Sequence, residues 1–233
     1  MSNIKVVCFD ADDTLWVNEP YYREIENQFT RLMEDYVDEK ACNDILLEIE
    51  INNINLYGYG AKSFVLSMIE AAIKMSNHQI NSQTIEKILA LGRELINKPL
   101  QLLDGVEDVL KYFHGRYRLI VATKGDLLDQ ERKLKKSGLE KYFHHIEIMS
   151  EKAVDNYKKL IAHLDVKPDE FVMIGNSVKS DILPVLEIGA YAIHVPCETT
   201  WAHEHVENPQ LDSKRFREID NLAKTKEIIP SFE

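Results

Sequence analysis

Ile4-Lys5-Val6-Val7-Cys8-Phe9-Asp10-Ala11-Asp12-Asp13-Thr14-Leu15 decides how the rest of the chain is read. Its first six residues form a β-branched, nearly continuous apolar run, the pattern of a strand buried on both faces. The run stops at an acidic cluster, so this strand delivers Asp10, Asp12, Asp13 and Thr14 out of the C-terminal edge of a sheet. After Pro99 the same rhythm repeats. A helix follows Asp104-Gly105 and ends near Gly115, then come a strand over 117–123, a helix over 127–137 capped by Gly138, and a strand over 145–149. A helix over 155–164, a strand over 171–174, a helix over 180–188 and a strand over 191–195 complete the series. Such alternation predicts an α/β fold, a parallel sheet with helices on both faces and right-handed crossovers.

Between the first strand and the rest lies a block of different character. Segments 22–36, 43–55, 63–75 and 82–97 carry apolar residues at helical spacing with few β-branched alternations. Pro20, Gly58-Tyr59-Gly60 and Asn81-Ser82 punctuate them as helix boundaries. The expected organisation is a discontinuous α/β core, residues 1–15 and 100–233, with an all-helical insertion over 16–99.

The 233 residues suit one large domain or one domain with an insertion, and 45% apolar with 29% charged residues exclude disorder, collagen-like repetition and coiled coils. A net charge of −11 repels a phosphate backbone, so no nucleic acid polymer is expected as partner. Cys8, Cys42 and Cys197 are odd in number and far apart, which fits neither a disulfide framework nor a metal knuckle and points to a reducing cytoplasm. No apolar stretch approaches a membrane span and the run before Asp10 is too short for a secretory segment, so no membrane association is expected.

Ligands of open parallel sheets bind outside the carboxyl ends of the strands. Those ends deliver Asp10, Asp12, Asp13 and Thr14, then Thr123 and Lys124, then Ser150 and Lys152, then Gly175, Asn176 and Ser177 with Asp181 following. Asp10 and Asp12 flank only Ala11, so both carboxylates can face one cavity, where a divalent cation would relieve their repulsion. Hard oxygen ligands suit Mg²⁺ together with a substrate phosphate. One carboxylate can then attack phosphorus while the other protonates the leaving oxygen. Thr123 supplies a hydroxyl and Lys152 a cation for the equatorial oxygens of a transferring phosphoryl group.

Phe9-Asp10-Ala11-Asp12-Asp13-Thr14-Leu15, Val121-Ala122-Thr123-Lys124-Gly125, Ser150-Glu151-Lys152 and Met173 through Asp181 resemble, in order, the four motifs of the haloacid dehalogenase-like hydrolases. The resemblance covers essentially the whole chain and implies a Rossmann-like core with a helical cap inserted after the first motif. It implies an Mg²⁺-dependent phosphatase of small phosphorylated molecules that closes its cap during transfer. Asp10 would be the nucleophile that becomes an aspartyl-phosphate, and Asp12 the general acid and later base, with its carbonyl on Mg²⁺. Thr123 would hold the phosphate, Lys124 would contact substrate, and Lys152 would pair with Asp10, Lys158 being the second candidate for that lysine. Most phosphatases of the family carry Asp after the glycine; here Asn176 stands there and brings an oxygen without charge, so Mg²⁺ affinity should fall unless Asp181 or Asp13 compensates. The expected metal set is therefore Asp10, Asp12, Asn176 and Asp181. The first motif also resembles the pyrimidine 5′-nucleotidase branch, which makes nucleoside monophosphates the first panel.

Asn176 keeps two alternatives open: a 2-haloacid dehalogenase, whose branch uses uncharged residues there, and a catalytically weakened protein that binds a phosphate ligand. Asp12 favours the phosphatase, because a departing halide needs no acid. Other features read blandly. The run Lys133-Leu134-Lys135-Lys136 reads as the wet face of its helix. His203-Glu204-His205 lacks the spacing of a zinc helix and reads as an irregular loop that packs Trp201 near the rim; His194 reads as a plain strand residue. Tyr21, Tyr22, Tyr57 and Tyr59 read as core of the helical insertion.

Overall fold

The apolar run ahead of Asp10 forms β1 (Val6–Phe9), and all four of its residues are buried. A computed structural model of the chain describes residues 3–206, 211 and 214–232. The chain separates into two compact units, one of residues 1–19, 100–124 and 131–233, the other of residues 20–99 and 125–130.

The first unit holds a six-stranded parallel sheet in the order β3-β2-β1-β4-β5-β6. Its other strands are β2 (Arg118–Lys124), β3 (His145–Met149), β4 (Phe171–Gly175), β5 (Tyr191–His194) and β6 (Phe216–Glu218). Side chains alternate across the pleat, so one set faces each side. Val7, Phe9, Val121, Ile174 and Ile193 pack with α5 (Val106–Phe113) on one face. Val6, Cys8, Ala122, Met173 and Ala192 pack with α7 (Val154–His163) on the other. Each fully buried large side chain contributes about 2 kcal/mol of apolar burial, which makes the central strands the most firmly held part of this unit. Because Phe9 pairs with Val121 on one side and Ile174 on the other, the residues after β1, β2 and β4 emerge at one rim.

In the second unit α1 (Glu19–Leu32), α2 (Glu39–Tyr57), α3 (Ala61–Met75) and α4 (Ser82–Asn97) bury a common stripe. Ile25, Phe29 and Met33, spaced four apart, meet Leu46, Phe64, Met68, Ile88 and Leu95. Asp38 caps α2 through the Ala41 N–H at 2.8 Å, and Asn81 caps α4 through the Thr84 N–H at 2.9 Å. The remaining helices are α6 (Leu127–Ser137), α8 (Leu183–Glu187) and α9 (Thr225–Ile228).

Two local expectations are corrected. Helix α1 begins at Glu19 and ends at Leu32 rather than spanning 22–36. Its start is fixed by Asp13, which sits at φ 59° and accepts the Asn18 N–H at 2.9 Å and the Glu19 N–H at 2.9 Å. The helix expected over 180–188 is divided: a wide π turn, Val178–Ile182, precedes α8. Pro184 has no N–H for the Ser180 carbonyl, which instead accepts the buried Tyr157 hydroxyl at 3.0 Å, and Leu183 N–H reaches back five residues to Val178. Strand β6 adds an edge that no periodicity announces; its three residues, Arg217 and Glu218 among them, carry no apolar run. Among the described residues Cys8, Cys42 and Cys197 are free thiols, and no helix is long and apolar enough to cross a membrane.

Candidate active site

Asp10 leaves β1 with its N–H bonded to the Ile174 carbonyl of β4 at 2.8 Å, which fixes the carboxylate at the rim. It is 6% exposed, and Lys152, just past β3, is 4% exposed. The Lys152 ammonium donates to Asp10 Oδ1 and, at 2.7 Å, to Asp181 Oδ1. Burial pushes the Asp10 carboxyl up to about 7; the Lys152 charge and hydrogen bond oppose this, and Asp181 and Asp12 reinforce it. Burial pulls Lys152 down, yet the charges of Asp10 and Asp181 outweigh it and hold the ammonium protonated. A cation gripped between two buried carboxylates opposes the protonation that burial favours and fixes the direction of the Asp10 carboxyl.

Thr14 donates to Asp10 Oδ2 at 3.2 Å, one turn after the Asp10-Ala11 corner. The nearer end of the Asn176 amide stands 3.1 Å from Asp10 Oδ2, 3.3 Å from the Asp12 carbonyl and 3.2 Å from Thr14 Oγ1. With nitrogen at that end the amide donates to the oxygens around it. With oxygen there, a carboxylate, a carbonyl and an amide oxygen converge, a set of hard donors that a cation reconciles. These donors fit Mg²⁺ in kind, although among the described residues no three His, Cys, Asp or Glu side chains group into a metal site.

Asp181 does not join that oxygen set. Its Oδ1 holds Lys152 and its Oδ2 accepts the Ser177 N–H at 3.0 Å, so the carboxylate expected to ligate the metal serves the lysine. The neighbouring strand end is shaped for it: a Cβ at Gly175 would collide with the Asp181 carboxylate. Lys158 is paired on the surface with Asp155 at 3.6 Å, whereas Lys152 meets Asp10.

Asp12 has its Oδ1 bonded to Trp16 Nε1 at 2.7 Å and to Lys133 Nζ at 2.8 Å. Lys133, read from sequence as part of a solvated face, also donates to Asn18 at 2.9 Å and so ties α6 to the first motif. Thr123 is buried two residues past the Phe9–Val121 pair, with its hydroxyl on the Lys124 carbonyl at 3.2 Å. Lys124, expected on the substrate, directs its ammonium at Glu204 Oε1 at 2.5 Å and Ser180 Oγ at 3.0 Å.

Glu204 is the residue sequence reasoning missed. Its other oxygen accepts from the Ser177 hydroxyl and, at 2.6 Å, from the Ser180 hydroxyl. Burial pushes this carboxyl up, but the Lys124 charge and the hydrogen bonds from Lys124, Ser177 and Ser180 prevail and hold it at about 2. In sequence it sits between two histidines in a segment that reads as an irregular loop; His203 lies against Trp201 with the rings tilted by 50° and meets Lys179 Nζ at 3.0 Å. His194 is also more than a strand residue, bridging Glu218 at 2.9 Å and the Asn176 carbonyl at 3.0 Å.

The profile of the haloacid dehalogenase-like hydrolases matches residues 4–189. The chain belongs to this family. As a haloacid dehalogenase-like protein it is an enzyme, a hydrolase. It is 31% identical, over 97% of its length and all of the relative's, to a protein named glyceraldehyde 3-phosphate phosphatase from Methanothermobacter thermautotrophicus. The N-acylneuraminate-9-phosphatase of Mus musculus is 23% identical over 91% of this chain and 88% of the relative. A haloacid dehalogenase-like family hydrolase from Xanthomonas campestris shares the fold with a TM-score of 0.88 and 35% identity, over 99% of this chain and 92% of that one.

Proposed function

We propose that this hydrolase is an Mg²⁺-dependent phosphatase of a small phosphomonoester, working through an aspartyl-phosphate on Asp10. The observation that carries the reading is the buried Lys152 ammonium shared by Asp10 and Asp181, with Asn176 and the Asp12 carbonyl beside the second Asp10 oxygen. Both phosphatase names among the relatives agree with it.

Lys152 holds the Asp10 carboxylate against rotation and offsets charge on the entering phosphoryl group, a positioning and electrostatic role. Asp10 attacks phosphorus as the bond to the leaving oxygen breaks, and Asp12 delivers a proton to that oxygen after parting from Trp16 and Lys133. Asp12, now a base, takes a proton from water, which attacks the phosphorus of the acyl phosphate and returns Asp10 to its free form. General acid and base action of this kind contributes roughly 10²–10⁴-fold. Bound Mg²⁺, held by Asp10, the Asp12 carbonyl and Asn176, would neutralise charge on the phosphoryl oxygens. Thr123 receives the phosphate, and the helical segment over 16–99 acts as a cap that chooses the substrate.

The test is release of phosphate from p-nitrophenyl phosphate with Mg²⁺, then from a panel holding glyceraldehyde 3-phosphate, a sugar-acid phosphate and nucleoside monophosphates. Asp10→Asn is expected to abolish turnover; a variant that keeps most of it rules Asp10 out as the nucleophile.

A further inference from the structure

The Glu204 cluster has the chemistry of an anion site whose occupant is part of the chain. One carboxylate collects two hydroxyl donors, Ser177 and Ser180, and one ammonium, Lys124, which are the groups a protein assembles to bind a carboxylate ligand. The cluster lies next to the reacting centre by chain adjacency on two elements. Glu151 lies 3.8 Å from Lys124 while the next residue, Lys152, holds Asp10. Ser180 holds Glu204 while the next residue, Asp181, holds Lys152.

Glu204 is brought in by a segment built to be separable from its site. It sits on a single helical turn, Ala202–Glu204, beyond residue 189 where the family match ends. A second clasp, Lys179 Nζ to the His203 carbonyl at 2.9 Å, fastens the same segment to the π turn. The donors belong to the rim of the sheet and its following turn, and the carboxylate is carried separately by the loop.

We propose that Lys124, Ser177 and Ser180 form a carboxylate subsite of the active centre, that Glu204 fills it until substrate binds, and that the substrate is a phosphomonoester bearing a carboxylate that takes Glu204's place. The proposal rests on the phosphatase reading of Asp10. One carboxylate replaces another, so hydroxyl and ammonium donors keep their partners throughout the exchange and no buried donor is left unpaired. An ester lacking the second anion would have to leave Glu204 in place.

The experiment uses two esters that differ in one group, 3-phosphoglycerate with its carboxylate and glycerol 3-phosphate with a hydroxymethyl in that position. Binding is measured by calorimetry with Mg²⁺ on full-length Asp10→Asn protein, so turnover does not enter. Adding Glu204→Gln is expected to tighten 3-phosphoglycerate about tenfold and glycerol 3-phosphate less than about twofold, because only the first gains a vacated charged site. Ser180→Ala, measured separately, is expected to weaken 3-phosphoglycerate at least about threefold relative to its partner, which reads the subsite from the donor side if the Glu204 variant does not fold. Equal shifts for the two esters, or absent binding of 3-phosphoglycerate, overturn the proposal. Failure of the phosphatase reading has a different signature: the protein with Asp10 intact releases phosphate from neither ester, whatever the binding ratio.

Discussion

Replacing Lys152 by Met leaves the Asp10 and Asp181 carboxylates facing one another at 6% and 1% exposure without their shared cation. Removing one partner of a buried ion pair costs about 3–5 kcal/mol, and here the loss depends on pH with a definite sign. In the intact protein Asp10 has a carboxyl raised to about 7 from an ordinary 3.8, so its folded form gains stability as pH falls through 7. Without Lys152 the same carboxyl rises further, because the charge and the hydrogen bond that lower it are gone. The variant then takes up its proton at higher pH than the intact protein does, so the difference between them narrows as pH falls from 8 to 6. The expected destabilisation is about 4 kcal/mol at pH 8 and smaller at pH 6. Urea unfolding in EDTA, followed by tryptophan fluorescence, reads it, since the chain's two tryptophans, Trp16 and Trp201, both lie in the unit that carries the sheet. A loss below about 1 kcal/mol at pH 8, or a loss that grows at pH 6, refutes the view that Lys152 compensates two buried charges.

Three further outcomes follow from the same geometry. Glu204, with its carboxyl lowered to about 2, stabilises the fold above pH 4.5 and loses that contribution as acid titrates it; the intact protein should shed about 2 kcal/mol more than Glu204→Gln between pH 5 and pH 3 in urea titrations. Gly175→Ala should displace Asp181 and with it Lys152, lowering kcat/KM at least about tenfold while thermal melting shows a folded protein, and unaltered kinetics would contradict the collision. Asn176→Asp supplies the missing charge and should tighten Mg²⁺ binding about tenfold by calorimetry while lowering the melting temperature in EDTA; unchanged affinity would mean that the amide oxygen already suffices.

The parts of the site that lie on strand ends were legible because a buried strand announces its own terminus. Asp10, Thr123 and the β4 end emerge at one rim from pattern alone, and Lys152 follows from its place just after β3. Contacts made by long side chains across the fold were not legible. Lys133 reaches Asp12 over a separation of 121 residues, and in sequence it is one basic residue among several in a charged helix. Asp181 has the right residue type and spacing for a metal ligand, but a buried ammonium competes for the same oxygens and holds them. The π turn was hidden for a similar reason: Pro184 announces a missing N–H, whereas the hydroxyl that takes over its acceptor comes from Tyr157, on another helix.

The His194 bridge ties the tail of the polypeptide to its chemistry. Strand β6 joins the sheet beside β5, and Glu218 on it grips the imidazole whose far nitrogen rests on the Asn176 peptide. Drift in β6 therefore has a mechanical route to the loop that carries Asn176. A lineage could retune this enzyme from its C-terminus, leaving all four of its signature segments untouched.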